Sequence, residues 1–177
     1  MQFSDFGLFY VDEPYLKALN AADKNSQYSD DKDYGNKPFL GIVEHDVYKY
    51  LIPLSSGKPK HAGMDYVGRD YILIYETINI SAKRSSDIVK FRRDAWLDKI
   101  LSILNINQMI PVPDGLYYKI DVFSNSLIRK EYDFCFDYKE DIIIKANELY
   151  NTATNNKTLE RCCDFNKLKK VCTKFSK

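Results

Sequence analysis

Two apolar, aromatic-rich runs, Phe39 to Val47 and Tyr48 to Leu54, stand back to back and stop at the cluster SSGKP. Short runs of this kind, closed by Ser, Gly and Pro, mark neighbouring strands. They demand a sheet, and they put Ser55 and Ser56 in a loop at a strand end. Leu8 to Val11 and Tyr71 to Ile78 read as further strands. So does Ile103 to Ile110, whose β-branched residues alternate with Asn and Gln until Pro111 and Pro113 stop it. Other segments carry helical spacing. Pro14 opens a helix that runs to about Ala22. Ile88, Phe91, Ala95 and Ile100 give residues 86–100 a weak helical pattern with a basic tilt. The set Ile128, Tyr132, Cys135, Phe136, Ile142, Ala146 and Leu149 predicts one long amphipathic helix from about Leu127 to Tyr150. Asp164 is placed to cap a last helix reaching Phe175, with Leu168, Val171, Cys172 and Phe175 on one side. Residues 23–37 form a polar loop. This alternation, without internal repeat or low-complexity linker, predicts an α+β fold.

The chain has 177 residues, 45% of them apolar and 14% aromatic. That suits a single domain over residues 1–177, with a core that buries about two thirds of the unfolded surface. The N-terminal MQFSDFGLFYV lacks a basic region and carries Asp5 and Asp12, so no signal peptide is expected. No apolar run reaches the roughly 18 residues of a membrane span. Cys135, Cys162, Cys163 and Cys172 contain no CxxC pair and read as reduced thiols in a cytoplasmic protein. The net charge is +1, so any hold on a nucleic acid must come from local patches. Charge is indeed uneven: residues 1–33 sum to −4 and residues 157–177 to +5. A basic C-terminal helix carrying Lys169 and Lys170 is either a solvated face or a phosphate-binding strip.

Hydroxyls, amines and phenols concentrate between Tyr34 and His61. A nucleotide-binding P-loop is excluded, because Pro59 stands where Ser or Thr should follow the GK and the upstream glycine is missing. Metal-ligand spacing is absent from the carboxylates, and no metal or cofactor is expected. Only His45 and His61 could form a histidine pair. His45 reads as a surface strand residue; His61, beside Lys58 and Lys60, is a candidate RNA contact.

FLGIV followed by KYLIPLSSGKPKH resembles the ToxN/AbiQ toxin family, in which such a strand pair ends in a Thr/Ser-Ser-x-Lys active-site loop. LSILNINQMIPV is similar to the family's later strand, FYVDEPYLKAL to its first strand and helix, and CCDFNKLKKVCTKF to its final helix. The resemblance implies a compact, strongly twisted antiparallel sheet with flanking helices, related to the Kid/MazF barrel. It also implies a metal-independent endoribonuclease, the toxin of a type III toxin–antitoxin system. Such an enzyme leaves 2′,3′-cyclic phosphate and 5′-hydroxyl ends, cuts cellular or phage RNA in abortive infection, and is inhibited by a small structured RNA. By position, Ser55 and Ser56 fall on the family's hydroxyl pair, Lys58 on its lysine, and Tyr34, Lys37 and Phe39 on its upstream Tyr, Lys and Phe. Tyr15 matches an N-terminal tyrosine. Gly57, Pro59, the non-aromatic Lys60 and the basic segment 83–99 depart from the pattern.

In that chemistry Lys58 is the transition-state cation or, if buried beside Lys37, a proton-transfer group. Ser56 binds a phosphate oxygen or orients the 2′-hydroxyl, and Tyr34 gives a proton or a stacking surface. Tyr15, Phe39, Lys60, His61, Lys169 and Lys170 are the candidate RNA contacts. A closed toxin–RNA assembly is expected, with a monomeric free toxin. An RNA-binding module without activity is the alternative.

Overall fold

The computed structural model describes residues 1–28, 37–155 and 159–176. In chain order the elements are β1 (Gln2–Val11), α1 (Glu13–Ala22), β2 (Phe39–His45), β3 (Tyr48–Ser56), β4 (Tyr71–Asn79), β5 (Val89–Arg93), β6 (Trp96–Asn105), β7 (Ile110–Val112), β8 (Tyr117–Lys119), α2 (Ser126–Asp137), α3 (Lys139–Thr154) and α4 (Phe165–Phe175). A short 3-10 turn, Pro59–Gly63, follows β3.

The eight strands form one antiparallel sheet in the order β4-β6-β3-β2-β1-β8, with β5 added to β6 and β7 added to β3. Among the described residues no ladder joins β4 to β8, so the sheet is open. Register shifts in the β1–β2, β2–β3 and β4–β6 ladders coil it. The main core is built from Leu8, Leu40, Leu51, Ile52 and Leu104 of the sheet, closed over by Leu19, Cys135, Ile142 and Leu168 of the four helices. Burying that apolar surface supplies most of the drive to fold, at about 25 cal/mol per Å². All four cysteines are unpaired and buried. Among the described residues no helix is long and apolar enough to cross a membrane.

Local chemistry sets the start of two helices, the cap at Asp164 being the one expected from the sequence. Asp12 caps α1 by accepting from Tyr15 N at 3.2 Å, and Asp164 caps α4 by accepting from Lys167 N at 3.1 Å.

Three elements differ from the sequence reading. Residues 86–100 are not helical; they form the β5–β6 hairpin, turned at Asp94 with φ 53°. The apolar alternation of β6 is masked by Asp98, only 2% exposed, which accepts from Tyr66 Oη at 2.7 Å and Thr77 Oγ1 at 2.6 Å. The strand expected from Ile103 to Ile110 in fact ends at Asn105, passes through a 3-10 turn, and restarts as β7 with Pro111 inside it. Pro111 is tolerated because β7 is a short strand attached only to β3. The single long helix is two, α2 and α3, separated at Tyr138, whose ψ of 17° leaves the helical range.

Candidate active site

β3 meets β2 along one edge, but its other edge is divided. Lys49 to Leu51 pair with β7, and Leu54 to Ser56 pair with β6. β6 is divided the same way: its far side carries β4, and its near side carries β3 at Ser102 to Leu104 and β5 at Trp96 to Lys99. Two backbone bonds mark the change of partner. Gly57 N donates to Leu101 O at 3.1 Å, and Ile100 N donates to Ile88 O at 2.8 Å. The end of β3 and the start of β5 therefore abut along β6, and Ser56 sits at the seam. Gly57 lets the chain lie this close, since a Cβ there would come within 3.2 Å of Ile100 O and 3.3 Å of Leu101 O.

Ser55 and Ser56 are thus the last residues of a strand, not part of a loop, and their side chains point to opposite faces. Ser55 Oγ accepts from Asn105 Nδ2 at 2.9 Å and donates to Gln27 Oε1 at 3.3 Å, while Gln27 Nε2 donates to Leu54 O at 3.3 Å. It ties the loop after α1 to the end of β6. Ser56 is exposed, and its Oγ accepts from Lys37 Nζ at 3.0 Å. An amine and a hydroxyl 19 positions apart in sequence are thereby joined at the seam.

Lys58 and Lys60 are exposed on the turn that follows, so the burial expected for a proton-transferring Lys58 is absent. His61 belongs to the architecture of that turn. It is 3% exposed; its Nδ1 accepts from Lys58 N at 3.0 Å, and its own N–H donates to Lys58 O at 2.8 Å. Burial, with the charges of Lys60 and Lys58 adding to it, holds the imidazole below its ordinary pKa. A ring so enclosed fixes the Lys58 backbone and has no face left for a base.

Tyr15 and Phe39 are also enclosed. Tyr15 is fully buried, and its hydroxyl donates to Pro111 O at 2.6 Å, so burial drives its pKa far above the phenolic range. Phe39, 1% exposed, packs in the main core. Both are structural at their present positions, and neither offers a stacking surface. Tyr34 lies outside the described residues. Lys169 donates to Tyr150 Oη and lies over the rings of Tyr48 and Tyr150, at 5.2 and 5.1 Å. Tyr48 and Ser56 are opposite ends of β3, roughly 26 Å apart at the rise of a strand. The exposed Lys170 is on the same helix. The structure therefore gathers Lys37, Ser55, Ser56 and Lys58 at one end of β3 and sets Lys169 near the other.

The basic segment 83–99 lies on the site's side. Its strand β5 continues in line from Ser56 along β6. Lys90 donates to Met64 O and lies 4.8 Å from the Tyr66 ring centre, and Arg92 Nη1 donates to Thr77 Oγ1 at 2.9 Å. Arg93 and the 70%-exposed Phe91 reach solvent. Asn105 and Gln27, which set Ser55, carry no signal of their own in the sequence beyond the place of Asn105 in LSILNINQMIP. Among the described residues no group of three or more His, Cys, Asp or Glu side chains is placed to hold a metal ion.

Fold and site define an α+β protein whose open antiparallel sheet brings an amine and a hydroxyl, those of Lys37 and Ser56, together at a strand seam. The profile described as toxin ToxN, type III toxin–antitoxin system, matches residues 7–173. The chain belongs to that family. It is 24% identical to the endoribonuclease ToxN of Bacillus thuringiensis subsp. kurstaki, over 93% of this chain and 81% of that protein. The fold is similar to that of AbiQ, a lactococcal anti-phage endoribonuclease of a type III system, with a TM-score of 0.74 at 21% identity over 98% of this chain and 99% of AbiQ. It is similar also to a bacterial type III toxin that is selectively inhibited by a non-coding RNA pseudoknot, with a TM-score of 0.72 at 20% identity over 98% of this chain and 99% of that one.

Proposed function

We propose that this chain is the endoribonuclease of a type III toxin–antitoxin system, that residues 1–177 act as one toxin domain in the cytoplasm, and that a small structured RNA inhibits it. The observation that carries the reading is the Lys37–Ser56 contact at the end of β3, two residues before a second exposed amine, in a member of the ToxN family. Relatives of this chain carry the name endoribonuclease and act against phage, which supports abortive infection as its setting. Kinship of the sheet with the Kid/MazF barrel is part of the same reading, supported by the antiparallel order and the bulges that coil it.

The chemistry needs no metal or cofactor. The ribose 2′-oxygen attacks the adjacent phosphorus, the bond from phosphorus to the 5′-oxygen breaks, and a proton passes from the 2′-hydroxyl to the leaving oxygen by way of protein groups. Products are a 2′,3′-cyclic phosphate and a 5′-hydroxyl. Lys37 and Lys58 supply positive charge to the pentacoordinate phosphorus. Ser56 donates to a non-bridging oxygen, and Ser55 keeps the end of the strand in place. Tyr34 is the proposed proton donor. Lys60, Lys90, Arg92 and Arg93 continue the positive surface along which the strand of RNA lies.

The test is purified protein incubated with total RNA beside a Ser56→Ala variant. Cleavage that is lost in the variant supports the reading. Binding without cleavage by the wild type replaces it with an RNA-binding module.

A further inference from the structure

Beneath the exposed Ser56 lies a polar group that the proposed chemistry does not use. Glu131 of α2 is 4% exposed, in a helix packed against β4 and β6. On β6 its polar neighbour is Ser102, 1% exposed, and Ser102 is the residue paired directly across from Ser56. Directly paired residues in an antiparallel ladder put their side chains on one face. Ser56 and Ser102 therefore lie side by side on one face of the sheet, the exposed hydroxyl next to a buried one that neighbours Glu131. Lys37, which donates to Ser56 Oγ at 3.0 Å, completes the group.

A carboxyl group in such a place costs stability. Burial raises the Glu131 pKa above its ordinary value, and Ser102 and the charge of Lys37 pull it part of the way back. The buried thiol of Cys135, one helical turn on, feels the same charge. The Ser102 hydroxyl makes no hydrogen bond of standard geometry among the described residues. Its interaction with Glu131 is thus looser than a full bond, and it is left as a buried donor beside the carboxyl. An apolar residue would fill the helix–sheet contact at less cost. A buried acid within the field of the amine of the candidate site is a place where stability is given up for another purpose.

We infer that Glu131 is a positioning residue: its carboxylate draws the Lys37 ammonium down beside Ser56 and, with Ser102, holds the end of β3 in the geometry that receives the phosphate. It does not touch the RNA. This inference rests on the endoribonuclease reading of the same site. Lys37 is the charged group whose field reaches Glu131, with Cys135 and Ser102 as its other titratable and polar neighbours. When the carboxyl takes up a proton, its pull on Lys37 is lost and the site loses its set.

The experiment measures cleavage of a short RNA by the wild type, Glu131→Gln, Ser102→Ala and Ser56→Ala as a function of pH, with thermal unfolding of each. Glu131→Gln should lower kcat by about a hundredfold, the scale of a misplacement near the reacting atoms, with KM within about twofold. Wild-type rate should fall on acidification as the carboxyl protonates, and Glu131→Gln should lack that limb. Because burial disfavours the charged form, the glutamine variant should be as stable as the wild type or more so at alkaline pH. Ser102→Ala, which removes little volume, should lower kcat by a smaller factor. A wild-type kcat and an unchanged pH profile in Glu131→Gln, with Ser56→Ala inactive, overturn the inference and leave the active site standing. Full activity in Ser56→Ala, or no cleavage by the wild type, overturns both.

Discussion

Ser55 and Ser56 adjoin in sequence, yet the strand sends them to different duties. Ser56 is open to solvent and bonded to Lys37, whereas Ser55 is tied between Asn105 and Gln27. Ser56→Ala and Lys58→Ala should each slow cleavage by about a hundredfold to a thousandfold, the usual effect of losing a transition-state donor or charge, with the unfolding midpoint barely changed. Ser55→Ala should act differently, lowering stability by roughly 1 kcal/mol as Asn105 and Gln27 lose a shared partner, with a smaller loss of rate. Steady-state kinetics beside thermal melts of the three variants separates the roles. His61 gives a prediction in pH. Its folded pKa is depressed, so at about pH 7.5 it is neutral in both states, and as pH falls through about 6.5 the unfolded chain takes up the proton first. Stability is then lost on acidification. Melts should show a smaller drop between about pH 7.5 and about pH 5.5 in His61→Asn, whose Oδ1 stands where Nδ1 does and still accepts from the Lys58 N–H but does not titrate.

At the scale of elements, the sequence made the pairing of β2 with β3 legible, together with α1 and α4, because β-branched runs, the proline that opens α1 and the Asp164 cap of α4 act locally. What it concealed depends on distant partners. Tyr15 and Phe39 look like ligand residues until the carbonyl of Pro111, 96 positions from Tyr15, accepts the phenolic hydrogen bond and the core closes over both rings. The β5–β6 hairpin was hidden because Asp98 and Lys99 sit inside the sheet, satisfied by Tyr66, Thr77, Glu76 and Asp87, where alternation leads one to expect apolar side chains. Glu131 had no signal in a helix rich in charges. Helix α4 offers a prediction that the two lysines divide. Lys169 is engaged with Tyr150 and Tyr48, so its reversal to Glu should loosen the helix and lower the melting temperature. Lys170→Glu touches no such packing; it should leave both stability and cleavage of a short RNA unchanged and weaken only the grip on the inhibitory RNA. Binding titrations with the folded RNA, run beside melts, check this. An unchanged affinity in Lys170→Glu removes α4 from the RNA path.

For the whole molecule, a net charge of +1 means that affinity for RNA rests on where the bases lie. The line from Lys37 and Lys58 through β5 is continuous along β6, while α4 stands at the far end of β3. An RNA inhibitor that spans both must therefore cover roughly 26 Å of protein surface, a length that suits a folded RNA better than a short single strand. Each phosphate neutralised releases counterions, so its affinity should fall by about a thousandfold or more between 50 and 200 mM salt, if six or more contacts form. Repeated RNA units that bridged one toxin to the next would close an assembly around a chain that is monomeric when free; light scattering with and without RNA checks this expectation. The claim on which the rest stands is that amines and hydroxyls at the end of β3, with no metal, make the ribose attack its own phosphate. The direct measurement is the chemistry of the cut ends formed by the purified chain in excess EDTA: 2′,3′-cyclic phosphate and 5′-hydroxyl are predicted, and strict magnesium dependence or 5′-phosphate ends would contradict the account.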